Sequence, residues 1–83
     1  MIDYQRVRRI VQLASERAEN VHNQEWFRRD EKGFWERQAA ELLDQSAGRA
    51  KGLGLSEIQV DEQCAVFLNL LACEALIARK QKA

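Results

Sequence analysis

Few residues in this 83-residue chain have the type and spacing for chemistry. Glu19 and His22 make a Glu-x-x-His pair, the i, i+3 unit that holds metal in ferritin-like di-iron bundles. Such a centre needs two of these units and further carboxylates. A homodimer would supply both units, and Glu74 is a carboxylate set among apolar residues. His22 is the only histidine, so the plainer reading is a surface pair at a helix end. A metal-binding ferritin-like helical dimer is therefore third among the functions considered. Nucleophilic catalysis has less support still. The histidine lies far in sequence from Cys64 and Cys73, no glycine-rich phosphate loop is present, and the cysteines lack metal-site spacing. The expectation is a non-enzyme with no catalytic residues and no cofactor.

A second constellation suits contact rather than reaction. Trp26-Phe27 and Phe34-Trp35 flank the charged segment Arg28-Arg29-Asp30-Glu31-Lys32-Gly33. Neighbours on a helix point about 100° apart, so one aromatic of each pair should be partly exposed. Exposed aromatics beside arginine have the composition of interface hot spots. Trp26, Phe27, Arg28, Arg29, Phe34 and Trp35 are thus the expected partner-binding residues. The competing reading is that the aromatics cap one end of a small bundle.

Charge excludes the strongest electrostatic partners. Thirteen basic and thirteen acidic residues give zero net charge. By thirds, residues 1–23, 24–50 and 51–83 carry +1, −1 and 0. A chain so balanced has no overall field to draw in nucleic acid or an anionic membrane. Arg6, Arg8, Arg9, Arg28 and Arg29 are the candidates for phosphate contact. A helix-turn-helix turning at Gly33 would want apolar residues where Arg28 and Lys32 stand. A nucleic-acid-binding helical regulator is accordingly the alternative, not the first choice.

These residues need elements to position them. The chain has no proline and four glycines, and residues that favour helices dominate it, so the class is all-α. The Cys64–Ala78 stretch, CAVFLNLLACEALIA, contains only Asn69 and Glu74 as polar residues. It rises about 22 Å against a hydrocarbon core of roughly 30 Å, too short for a membrane span. Ser56-Glu57-Ile58-Gln59 is a capping box, with Leu55 and Val60 as a hydrophobic staple. Basic residues at 79, 80 and 82 suit the far end of the helix dipole. This predicts a helix at about 56–80 with two apolar stripes. One is Val60, Cys64, Phe67, Leu71 and Ala75. The other is Val66, Leu70, Cys73 and Ile77, at the 4, 3, 4 spacing of a heptad seam. Cys64 and Cys73 fall about 13 Å apart on opposite sides, too far to bridge, and free buried thiols fit a reducing cytoplasm.

Earlier in the chain, Asp3 is a good N-cap, with Ile2 and Val7 as staple residues. Tyr4, Val7, Val11, Ala14, Ala18 and Val21 make an a/d seam, widened by Ile10 and Leu13. A break is expected at Val21–Gln24, with Asn23 as a possible cap. The second helical region follows, marked by Gly33 as a kink or restart that Asp30 could cap. Trp35, Ala39, Leu42, Leu43, Ala47 and Ala50 form its stripe. Lys51–Gly54 is the expected loop, with Gly52 in the left-handed position.

The sequence thus predicts one domain over 1–83, a three-helix bundle with helices at about 3–22, 24–49 and 56–80. The third helix is central and apolar on two sides, so it is expected to be covered nearly all round, by the bundle alone in a monomer or by the bundle and a second chain. Small bundles are marginal alone, so a homodimer through Val66, Leu70, Cys73 and Ile77 is expected. Asn69 is placed either in that seam or with Glu74 on an exposed strip. The N-terminus, with Asp3, Arg6, Arg8 and Arg9, has no apolar signal region. Together these predict a small cytoplasmic protein–protein interaction module of the inhibitor, immunity, chaperone or adaptor type.

Overall fold

The computed structural model describes residues 3–82, without the side chains of Glu31, Ala47 and residues 79–82. All regular structure among them is helical. The elements are α1 (Tyr4–Arg17), α2 (Val21–Arg29), a short 3-10 turn (Glu31–Gly33), α3 (Phe34–Leu53) and α4 (Glu57–Lys82). Four α-helices therefore stand where three were expected: the break expected at Val21–Gln24 falls at residues 18–20 instead, so those four residues open α2, and a further break at residues 30–33 splits the second region.

Asp3 starts α1 as read, its carboxylate accepting from the N–H groups of Gln5 and Arg6 at 3.0 and 3.4 Å. The expected Ile2–Val7 staple lies outside the described residues. Val7, Ile10, Val11 and Ala14 form the buried face. Tyr4 and Val21, the two ends of the expected seam, are exposed instead. The helix stops at Arg17, short of the expected residue 22. Ala18 turns extended, and Asn20 caps α2 by accepting from the Asn23 N–H at 2.8 Å. Gln24 stitches the corner: its side chain donates to the Ala18 carbonyl, and its own carbonyl accepts from Ser15 Oγ.

Asp30 serves two helices. It ends α2 in a left-handed conformation at φ 36°. Its two carboxylate oxygens then accept from the N–H groups of Trp35 and Glu36 at 2.6 and 3.2 Å, satisfying the open end of α3. Lys32 (φ 59°) and Gly33 (φ 67°) are also left-handed, so the chain turns sharply between α2 and α3. At its other end α3 runs through Gly52 to Leu53. Gly54, not Gly52, takes the left-handed position, at φ 70°, and the connection shrinks to residues 54–56. The capping box of α4 forms reciprocally: Gln59 N–H donates to Ser56 Oγ at 3.3 Å, and Ser56 N–H donates to Gln59 Oε1 at 2.9 Å.

One core joins the helices, built from Val7, Ile10 and Ala14 of α1, Phe27 of α2, Trp35 and Ala39 of α3, and Cys64 and Leu68 of α4, among others. The hub is α1, which packs against every other α-helix; α4 packs on α1 and α3 and touches α2 only lightly. The expectation that the C-terminal helix is central is thus corrected. Its inward face is Val60, Asp61, Cys64, Ala65, Leu68 and Ala72, whereas Phe67 and Leu71 of the expected first stripe sit at its exposed margin. A helix apolar on all sides does not announce which side is inside.

Candidate interaction surfaces

The aromatic constellation is assembled by the sharp turn at Asp30–Gly33. That turn brings the end of α2 beside the start of α3 and gathers three rings around Trp35. Ring centroids lie at 5.0 Å for Trp26, 4.7 Å for Phe27 and 4.9 Å for Phe34, all edge-to-face, the arrangement aromatic quadrupoles favour. Phe27 and Trp35 are each 1% exposed, so these two members of the expected docking set belong to the interior. Phe34 is 42% exposed and Trp26 is half-buried. Arg28 and Arg29 are exposed and reach back to Glu25 of their own helix at 3.6 and 3.8 Å. The aromatics therefore act mainly as the lid of the core, with Phe34 as the ring left most open.

Phe34 leads into a groove between α3 and α4. Phe34, Trp35, Gln38, Leu71, Glu74 and Ala75 line it, enclosing about 390 Å³. Phe67 lies one turn from Leu71 on the same side of α4 and is also exposed. Glu74 is thus a surface carboxylate at the groove, not a buried one. Asn69 leans the other way. Its amide donates to the carbonyls of Ala14 and Ala65 at 3.1 and 3.3 Å, tying α4 to α1.

The outer face of α4 is the second surface. Val66, Leu70 and Ile77 are more than half exposed, and Cys73 is exposed as well. They lie opposite Leu68, which points into the core. Beside them, Arg17, Glu19, Asn20, Asn23, Val66, Asn69, Leu70 and Cys73 line a hollow of about 330 Å³ where the α1–α2 corner meets α4. Asn23 is buried there, its amide 3.5 Å from Cys73 Sγ as donor.

Several titratable groups hold helices together. Asp61, fully buried, was not singled out in the sequence. Its Oδ1 accepts from Arg6 Nε and Nη2 at 3.2 and 2.8 Å, and Arg9 stands 3.8 Å from Oδ2. Burial alone would lower the Arg6 pKa, but the hydrogen bond and charge of Asp61, with Glu57 and Asp3 behind, raise it. Arg8 faces Glu36 at 4.0 Å and Arg17 faces Glu62 at 3.3 Å. Arg6, Arg8 and Arg9, the proposed phosphate contacts on α1, are therefore directed toward carboxylates. Burial also raises the Cys64 thiol pKa, a push that a contact with Ser46 only partly offsets.

The metal alternative loses its geometry. Glu19 precedes the Asn20 cap while His22 lies in the first turn of α2, so the two share no helix and are not an i, i+3 pair on one face. Among the described residues no group of three or more His, Cys, Asp or Glu could hold a metal ion. None of the described helices is long and apolar enough to cross a membrane. The chain matches no protein-family model, and neither a curated protein nor a solved structure matches it.

Proposed function

We propose that this chain is a small cytoplasmic protein–protein interaction module, of the inhibitor, immunity, chaperone or adaptor type, with no chemistry of its own. It docks a partner protein along the α3/α4 groove. One observation carries this reading: Phe34 and Leu71, two large apolar side chains, stay exposed in that groove, and Phe67, one turn from Leu71, is exposed as well. A contiguous apolar patch rimmed by polar groups, here Gln38 and Glu74, marks an interaction site more often than an accident of folding. Arg28 and Arg29 extend the same end of the molecule with charge for the rim of such an interface. The free thiols of Cys64 and Cys73 fit a reducing compartment.

Phe34→Ala and Leu71→Ser test the groove. Both sites are partly open, so the helical circular dichroism of each variant should match the parent. Partner capture from the native host should fall at least about tenfold, the loss expected when an interface anchor of about 1.4 kcal/mol or more is removed. Unchanged capture by both folded variants overturns the groove as the docking site.

A further inference from the structure

The outer face of α4 lies away from the α3/α4 groove and asks for a different occupant. Along it run Gln59, Gln63, Val66, Leu70, Cys73, Ile77 and position 80, at alternating steps of four and three. That is an unbroken heptad seam with an apolar centre and polar ends. We infer that this seam pairs two copies of the chain, α4 against α4, in antiparallel orientation about a two-fold axis near Leu71 and Ala72.

Three features point to a second copy and to that orientation. The seam is a coiled-coil repeat, the pattern with which one helix packs on another like itself. Its charge is polarised. Glu57 and Glu62 stand in the opening turns of α4, and the basic residues of the helix are all at positions 79, 80 and 82 in its closing turns. A parallel pair would stack acid on acid and base on base. An antiparallel pair sets each acidic end beside the other's basic end, as interface complementarity favours. Finally, α4 has 26 residues, about 39 Å at 1.5 Å per residue, in a body of 43 × 21 × 20 Å. It must lie along the long axis, so its outer face offers a partner nearly the whole length of the molecule. The hollow formed by Arg17, Asn20, Asn69 and Leu70 gives the seam a concave flank in which a second helix can sit. In this register Val66 faces Ile77 of the other copy, and Leu70 faces its Cys73.

Light scattering on the full chain at micromolar concentration should give twice 9.6 kDa. Leu70→Glu places a charge in the seam. It should raise the dimer dissociation constant at least about 100-fold while leaving helicity unchanged. Orientation is read by disulfide formation in a Cys73→Ala background. A mixture of Val66→Cys and Ile77→Cys chains should cross-link to each other, and Val66→Cys alone should not cross-link. A mass of 9.6 kDa throughout overturns the dimer and leaves the seam to a different protein. A Leu70→Glu variant that stays dimeric overturns the face, and ready cross-linking of Val66→Cys to itself overturns the antiparallel arrangement. The groove variant at Phe34 lies on α3, away from the seam, so either idea can fail without the other.

Discussion

Leu68 and Leu70 sit two residues apart on one helix and live in different environments. Leu68 is fully buried between α1 and α3, while Leu70 is 55% exposed on the far side. The contrast extends along α4. The inner face carries Val60, Cys64, Ala65 and Ala72, several of them small, with one charge, Asp61. The outer face carries Val66, Leu70 and Ile77, all larger than alanine and none of them charged. A helix needed only for the core could have placed polar residues outside, as α1 does with Arg8, Arg9, Gln12 and Glu16. Apolar residues retained on the outer face contribute little to the folded single chain, which is the observation behind the proposed α4–α4 contact.

The sharpest way to break this contrast is to truncate both leucines. Leu68→Ala removes a fully buried side chain and should cost about 2–5 kcal/mol by urea unfolding. Leu70→Ala, measured in dilute solution, should change stability by less than about 0.5 kcal/mol. Comparable losses would mean that the two faces of α4 are not distinct.

Asp61 sharpens the comparison from the polar side. It is the one charge on the inner face of α4, and it is held by Arg6 across the α1–α4 contact. Asp61→Ala leaves the half-buried Arg6 guanidinium without its partner and should cost about 3 kcal/mol. Exposed ion pairs such as Arg17–Glu62 should each give under about 1 kcal/mol. A double-mutant cycle between positions 6 and 61 measures the coupling directly. A value near zero would show that the pair is incidental to the packing.

Much of the local structure was legible before the fold was known. The α4 capping box, the Asp3 cap and the restart that Asp30 makes at Gly33 are short-range devices, and their partners lie within a few residues. What was misread depends on longer-range choices. Asn20 and Asn23 are both good caps, and only packing decides that Asn20 takes the end of α2 while Asn23 is buried. Gly52 and Gly54 are both able to end α3, and the helix runs on to the second. Asp61 gave no local signal, because its partner lies 55 residues away. Of the site, the heptad stripe at Val66, Leu70, Cys73 and Ile77 was readable and is exposed. The interior fate of Phe27 and Trp35 was not, since it follows from the turn at Asp30–Gly33. That turn holds Lys32 at φ 59°, a conformation glycine adopts without penalty. Lys32→Gly should therefore raise the urea midpoint by an amount equivalent to up to about 1 kcal/mol, and a loss would mean that the lysine side chain supports the turn. Because this site lies outside α4, the variant is also a control that should leave both α4 surfaces unchanged.

The smallest effect separates the two faces by their thiols. Cys64 is buried on the inner face, and burial raises its pKa above the ordinary value of 9.0. In the unfolded chain the thiol loses its proton near that ordinary value, whereas in the folded chain it keeps it to higher pH. The folded state then binds more protons in this window, so the contribution is fully present below pH 9.0 and is lost as pH rises through the folded pKa. Stability of the parent should decline across that alkaline range, and Cys64→Ala should decline less steeply once its own cavity cost is subtracted. In the Leu70→Glu variant, whose seam is open, a thiol reagent near neutral pH should modify Cys73 readily and reach Cys64 only as fast as the domain opens. Equal rates at both cysteines would show that the inner face of α4 is accessible, which is incompatible with Leu68 packed against α1.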